Sequence, residues 1–435
     1  MATTIGNSAH REPADMEPRR GLSEKIIREA SAAKGEPGWM RERRLDGYRH
    51  FSEAPLPAWI EEMSGVDLAD IVYFKNPAAG HDAVSPHIAD PKGATDALDQ
   101  AGWERLKAQG VVFCRMETAL NEYPDLVERH FASVVPADDA KFAALNTAVW
   151  GGGTFVYVPP GVDVGFPLQA SYRLNSEKIG RFERTLIVAG ERSRVEYFEG
   201  CSASMYTSDA LRCSVAEVVV MPGAQVTFTS VQNWTTNVYN FVTMRSHVHA
   251  GGRMRWVEGY IGSRSTMCRP EVWLIGPQAS GEVLSVAYAG ASQHHHVGAR
   301  IVHAAPDTTS AIVSKSVCRD AGRTTDRSVV EIRKGARRST TSLRCDALLL
   351  DDISRSDACL SVESEADDAE VSRSESVATI PSKQWFYLMS RGLSEEQAMG
   401  LVVTGFVEAV VGALPVEYSV EWSRLLELRM DGSAG

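Results

Sequence analysis

The feature that most restricts the fold is a succession of short alternating segments filling residues 140–380. In "GAQVTFTS", Val226 and Phe228 alternate with Gln225, Thr227 and Thr229, and in "GRMRWVEG", Met254 and Trp256 alternate with Arg253 and Arg255. "TSLRCDALLL" sets Leu343, Cys345 and Ala347 against Arg344 and Asp346. A period of two marks strands with one buried face. The punctuation also recurs, since Gly190, Gly223, Gly252, Gly281, Pro306 and Gly335 lie 33, 29, 29, 25 and 29 residues apart. Strands alone at that step predict the stacked coils of a β-solenoid. The rival, a sandwich of short strands, calls for tight two-residue hairpins, yet no Asn-Gly or Asp-Gly occurs in this stretch.

Helical patterns flank the strands. Over 21–139, "LSEKIIREA" offers Ser23 as an N-cap, with Ile26, Ile27 and Ala30 at helical spacing. "EPGWM" interrupts it, and "RERRLDGYRHF", "ATDALDQAGWERLKAQG" and "PDLVERHFASVV" predict further helix. Residues 381–435 read as three helices, with Gly392 ending the first and Pro415 preceding the third. Ser394 and Gln397 form a capping box at the start of the second. Because a solenoid needs covered ends, this segment reads as a cap. Met399, Leu401, Val402, Val403, Phe406 and Val410 are more apolar surface than a cap requires and point to partner docking. Residues 1–20 read as a polar, disordered lead-in with no signal-peptide pattern.

Composition narrows the function. With 435 residues, 44% hydrophobic and 23% charged, the chain can bury a large core without disulfides. A formal charge of −11 argues against a nucleic-acid surface. No apolar run approaches the roughly 20 residues that cross a bilayer, so no membrane association is expected. Seven cysteines with no C-x-x-C pair read as reduced thiols in the cytoplasm, most of them in the core. Cys201, in "YFEGCSA", is the one whose setting raises the question of chemistry.

From about residue 21 onward the chain resembles the SufB family, the scaffold subunits of the SUF iron–sulfur cluster assembly system. The resemblance rests on "LSEKIIREASAAKGEPGWM", "GGGTFVYVPPGV", "PLQASYRLN", "FERTLIVAG", "YFEGCSA", "SVQNWTTNVYNFVT", "QHHHVGARIVH", "RCDALLLDD" and "FYLMSRGLSEEQA". It implies a mainly β fold, a right-handed parallel β-helix core between N- and C-terminal α-helical regions. It also implies a transient iron–sulfur cluster of the 4Fe-4S type, with reduced flavin as a further candidate cofactor. The partners implied are a SufC-like ABC ATPase on the C-terminal helices, a SufD-like paralogue or second copy, and a SufE- or SufU-like sulfur donor with its cysteine desulfurase. Cys201 matches the family's sulfur acceptor, and a reactive thiol there would need a lowered pKa and access. Arg192 and Arg194 lie nearby in sequence. Arg173 and Asn175 in "YRLN", with Gln232 and Trp234 in "QNW", match the family's sulfur path, and Cys345 in "RCD" matches its assembly-site cysteine. A structural polar ladder and plain core thiols are the alternatives for these residues.

Several positions depart from the family. Met244 stands where a lysine is usual, and Met267–Cys268–Arg269 and residues 326–328 also differ. In "VESEADDAEVSRSESVATI", the family's cysteine falls on Ser364 and its "EHE" on Ser372, Arg373 and Ser374. Arginine cannot lend a lone pair to a metal, which leaves Cys359 and Glu375 as local substitutes. His294 and His296 alternate onto one face and, with His303, suggest a metal site; a surface histidine run is the plainer reading. Three functions are therefore carried forward: a working scaffold, a paralogue that accepts sulfur without building a standard cluster, and a non-catalytic SufD-like partner. Acidic pairs of a β-helix lyase or hydrolase, Asp351–Asp352 and Asp367–Asp368, are better read as turns.

Overall fold

The structure is a computed structural model that describes residues 20–56, 68–74, 86–88, 100–174, 180–203, 209–380 and 382–412, together with 419, 422, 424 and 426. It opens with α1 (Glu24–Ala33) and α2 (Gly38–Glu53), followed by β1 (Pro86–Ile88), α3 (Gln100–Ala108), β2 (Val112–Arg115), α4 (Met116–Glu122), α5 (Pro124–His130) and α6 (Lys141–Val149). Ser23 caps α1, accepting from the Ile26 backbone N–H at 3.4 Å.

Strands then follow one another with no described helix between them. They are β3 (Thr154–Val158), β4 (Leu168–Leu174), β5 (Arg184–Ala189), β6 (Arg194–Ala203), β7 (Ala210–Val220), β8 (Gln225–Asn233) and β9 (Val238–Val248). Next come β10 (Arg253–Ile261), β11 (Ser265–Cys268), β12 (Glu271–Leu274), β13 (Ser280–Ala289), β14 (His294–Val297), β15 (Arg300–His303) and β16 (Thr309–Cys318). The series ends with β17 (Arg323–Ile332), β18 (Thr340–Leu349), β19 (Arg355–Ser364) and β20 (Glu370–Thr379), after which α7 (Ser382–Ser390) and α8 (Glu395–Val411) close the described chain.

These strands build a parallel β-solenoid of about seven turns, with strands making up 43% of the protein. One sheet runs β1-β4-β6-β8-β10-β13-β16-β18-β20; the other runs from β2 and β3 through β5, β7 and β9 to the β11/β12 and β14/β15 pairs, then β17 and β19. Among the described strands, β1 on β4 and β2 on β3 pair antiparallel, at the first coil, and the rest pair parallel. Arg194, Gln225, Arg253, Ser280, Thr309, Thr340 and Glu370 occupy equivalent positions, a step of roughly 30 residues per coil. Of the recurring punctuation, Gly190, Gly223, Gly252, Pro306 and Gly335 mark corners between strands, whereas Gly281 is the second residue of β13. Gly223 takes φ +69°, a left-handed turn that a side chain would strain.

Residues at equivalent positions stack. Tyr197, Phe228 and Trp256 form an interior ladder with ring centroids 4.8 Å apart at each step. Such pairs add about 0.5–1.5 kcal/mol beyond their buried area. The same packing continues through Val283, Ile312 and Leu343.

The N-terminal helices cover the outer face of the second sheet, where Ile27, Leu45, Phe142 and Leu145 meet Leu211, Tyr239 and Phe241. Buried Glu217 fastens this layer: its carboxylate accepts from the backbone of Ala132, Val134 and Val135 and pairs with Arg184 at 2.6 Å. α8 begins with the expected capping box of Ser394 and Gln397. The C-terminal segment does not cap the last coil, as its position in the sequence suggests. Met399, Val403, Val407 and Val410 instead pack on the flank of the first sheet, against Val257, Leu284 and Val286. Among the described residues nothing covers the last coil, and every residue of β20 is exposed. The third C-terminal helix read from sequence falls mostly outside the described residues.

Candidate functional site

Alternation in β6 turns Val195, Tyr197, Glu199 and Cys201 into the solenoid and leaves Phe198 outside under α8. The register then sets two inward rows along the first sheet. One row is Cys201, Gln232, Tyr260, Ala287, Ser316, Ala347 and Val377; its neighbour is Glu199, Ser230, Glu258, Ser285, Ser314, Cys345 and Glu375. Polar groups in such an interior cost free energy unless they bond one another.

Around Cys201 they do. Its Sγ donates to Glu199 Oε1 at 3.5 Å, and Arg212, entering from β7 of the opposite sheet, donates to the same oxygen at 3.2 Å. Arg212 Nε lies 3.2 Å from Glu183 Oε2, and its Nη1 donates to Asn240 Oδ1 at 3.2 Å. Gln232 Oε1 accepts from Asn240 at 2.5 Å and from the Trp234 indole at 3.3 Å. The Arg212 guanidinium lies 5.2 Å from the centre of the Trp234 ring. A continuous chain of contacts thus runs from Cys201 through Glu199, Arg212 and Asn240 to Gln232 and Trp234. Glu183, Glu199, Arg212, Gln232 and Met244 line a small space of about 10 Å³, near the minimum for one water-sized guest.

Cys201 is 3% exposed. Burial drives its thiol well above the ordinary range; Arg212 opposes this, while Glu199 and Glu183 reinforce it. The activated thiolate expected from sequence is therefore not its resting form, because desolvation outweighs the single guanidinium. Glu199 is also pushed up, by burial first and by Glu183 against the pull of Arg212, which makes it a stronger base for the Cys201 proton. Arg192 and Arg194, near in sequence, hold exposed side chains of 75% and 56%, so Arg212 supplies the local positive charge instead.

The other expected residues divide. Gln232 and Trp234 join the Cys201 chain, as described. The backbone of Arg173 lies in β4, paired with Ser202, and Asn175 lies outside the described residues. Cys345 is interior and buried, and burial followed by the charge of Asp326 raises its thiol. Glu375 follows Cys345 in the same row on the exposed last coil, 3.5 Å from Arg373. Cys359 does not join them: Ala358 and Leu360 of β19 fill the interior, so Cys359 faces outward from the opposite sheet.

His294 and His296 do share an outer face, with ring centroids 4.0 Å apart. His303 is not with them. It is buried, its Nδ1 bonded to Thr308 at 2.7 Å and its Nε2 to Ser310 at 2.8 Å, so the three-histidine grouping does not form. Among the described residues no three His, Cys, Asp or Glu side chains are grouped to hold a metal ion. Asp351 binds the turn backbone at Asp320, Ile353 and Ser354, as a turn residue does. Sequence reasoning missed Glu199, Arg212, Asn240 and Glu258. Glu199 stands within the "EGC" motif, but its pairing with Arg212 depends on the coil register.

No helix among the described residues is long and apolar enough to cross a membrane. Two family models match the chain, the SUF system FeS cluster assembly SufBD core domain over residues 172–406 and the SufBD protein N-terminal region over residues 97–170. It is 42% identical over 439 residues to an iron–sulfur cluster assembly SufBD family protein of Staphylococcus haemolyticus strain JCSC1435, covering 96% of this chain and 94% of the relative. A relative of the same description from Staphylococcus aureus strain MRSA252 is 41% identical over the same shares. With the solenoid, its inward polar chain and these matches in agreement, the chain belongs to the SufBD family of the SUF system and takes part in iron–sulfur cluster assembly.

Proposed function

We propose that this chain is a SufB-like scaffold subunit that accepts sulfane sulfur on Cys201 and passes it inward toward Cys345 for building or transferring a cluster. The observation that carries this is the hydrogen-bonded chain from Cys201 through Glu199, Arg212 and Asn240 to Gln232 and Trp234, inside the coil. In the loading step Glu199 takes the Cys201 proton, and the resulting thiolate attacks the outer sulfur of a donor persulfide. The donor's S–S bond breaks, its thiolate leaves and takes up a proton, and a persulfide remains on Cys201. No oxidant or reductant is consumed.

A SufC-like ATPase fits the exposed Phe386 and Tyr387 of α7 and Leu401 of α8. A SufD-like paralogue or second copy fits the bare last coil. Incubating the protein with a cysteine desulfurase, a SufE- or SufU-like donor and cysteine, followed by alkylation and peptide mass spectrometry, tests the reading. A persulfide on Cys201 is expected; an unmodified thiol rules the proposal out. A paralogue that accepts sulfur without building a standard cluster is favoured by one observation, Arg373 in place of a donor beside Glu375 on the last coil. Anaerobic iron and sulfur supplied to the complex with its partners separate the two, since only a scaffold develops a cluster's visible absorption.

A further inference from the structure

On the outer face of the first sheet, one row of residues lies between the two inward rows. It runs from Val231 through Gly259 and Val286 to Lys315, Asp346 and Ser376. The C-terminal helices cover it, with Trp422 over Gly259 and α8 packed in the same cluster as Val231 and Val286. The row is apolar as far as Val286 and then turns charged while still covered, since Lys315 and Asp346 are 7% and 5% exposed. Taking an ion pair out of water rarely adds stability over an apolar pair of the same size. A charged pair at this place calls for a role other than stability.

The contacts of the pair supply one. Lys315 Nζ lies 4.3 Å from the centre of the Phe406 ring of α8 and donates to Asp346 Oδ2 at 3.2 Å. Arg344, on the solvent side, donates to the same oxygen at 2.8 Å. Asp346 Oδ1 accepts from Ser376 Oγ at 2.7 Å. Ser376 belongs to β20, the edge strand, whose residues are all exposed and which has no strand beyond it among the described residues. A contiguous line of contacts thus ties α8 to the last strand, from Phe406 to Lys315 to Asp346 to Ser376. Behind this line, on the inward face, Cys345 precedes Asp346 and Glu375 precedes Ser376, and the two are register partners across β18 and β20. Cys345 is 3% exposed although it stands one strand from the open end of the coil, so the hold on β20 governs access to its thiol.

We infer that Lys315 and Asp346 are positioning residues that couple the seat of α8 to β20 and hold the coil closed over Cys345. The part Cys345 plays in cluster building rests on the function proposed above; the closing contact itself does not. With α8 in place the ammonium is shielded from water, and its pull on Asp346 is strong. When α8 lifts, water reaches the pair, the carboxylate turns to solvent beside Arg344, and the Ser376 bond is given up. An edge strand has backbone bonds on one side only, so the loss of a side-chain bond to an ionised group weakens it more than an inner strand. Displacement of α8 is thereby turned into exposure of Cys345, while earlier coils, paired on both sides, stay shut.

The test is the rate at which iodoacetamide alkylates each thiol of the folded full chain, read by peptide mass spectrometry, with no sulfur donor present. Ser376→Ala removes one hydrogen bond to an ionised group from an exposed position, and Cys345 should then react about tenfold faster. Lys315→Met, which keeps an apolar stem, should give a similar rise, and Phe406→Ala, which removes a cation–ring contact, a rise of about threefold. Cys201 and Cys268, buried in earlier coils, should keep their wild-type rates in all three. Combining Lys315→Met with Ser376→Ala should raise the Cys345 rate no further than either alone, because both break one line of contacts. Should Lys315→Met not fold, Phe406→Ala takes its place in the combination. Multiplying effects overturn the coupling, as does an unchanged Cys345 rate in Ser376→Ala, or a rise at Cys201 and Cys268 equal to that at Cys345. Failure of Cys201 to take up sulfur leaves these rates untouched, so the two readings fall separately.

Discussion

A guanidinium inside a buried coil is tolerable only when counter-charges surround it, and Arg212 shows how this is done. Two carboxylates and an amide surround it, from Glu183 just before β5, Glu199 of β6 and Asn240 of β9. Stripping one partner from a buried ion pair costs about 3–5 kcal/mol, so the network holds the coil in one register as well as lining a path. His303 presents the opposite case, a titratable group buried without a counter-charge. Burial lowers its pKa to about 4, below the ordinary 6.5. The folded protein keeps the imidazole neutral while the unfolded chain protonates it. Its contribution is therefore fully present above pH 6.5 and is lost as pH falls toward 4. That amounts to about 3 kcal/mol by pH 4. Urea unfolding at a series of pH values should show a loss over this window that is smaller by that amount in His303→Gln, which retains hydrogen-bonding capacity toward Thr308 and Ser310. Parallel curves for the two proteins would show that the imidazole is not held neutral.

Elements dock here by close backbone approach as much as by side-chain volume. Gly259 of β10 lies directly under Trp422, and a Cβ there would sit 2.3 Å from the indole. Trp422 is fully buried together with Leu426, Val403 and Val407 on the flank of the first sheet. Gly259→Val should push the indole off the sheet at a cost of about 1–3 kcal/mol. Limited proteolysis should then release the C-terminal segment while the solenoid resists cleavage; unchanged digestion would mean that the indole is not the clamp. The same elements show what a sequence can reveal. Period two placed Phe228, Trp256 and Cys345 on the buried face, because alternation alone decides which face a residue takes. The register between coils stayed hidden, since it depends on corner lengths. Arg212 therefore went unnoticed while Arg192 and Arg194, nearer along the chain, drew attention. Cys359 was grouped with Cys345 by proximity in sequence, though it belongs to the other sheet and the opposite face. The direction in which α8 lies was equally illegible, as one apolar helix face fits an end or a flank.

At the scale of the molecule the two ends of the coil are unlike. The first coil is closed by antiparallel β1 and β2 and wrapped by helices, whereas the last ends in β19 and β20 with no further strand among the described residues. Unpaired N–H and C=O groups on such edges invite another chain, and natural proteins cover or charge them. Here Val371 and Val377 of β20, at 45% and 55% exposure, continue inward rows that the coil fills elsewhere with buried residues. Two exposed valines on inward rows at a bare edge suit a partner that continues the strand stack, the SufD-like paralogue or second copy proposed above. A lysine at this edge would have to be desolvated on docking but stays hydrated in the free chain, so Val377→Lys should leave the free chain's unfolding midpoint unchanged. Sedimentation velocity of the protein alone and with its paralogue should show association lost in Val377→Lys and retained in Glu53→Lys, an exposed residue at the end of α2 on the N-terminal layer. If both variants associate as the wild type does, the partner sits elsewhere, and the bare coil would have to be kept from aggregating by its many charged and hydroxyl side chains alone.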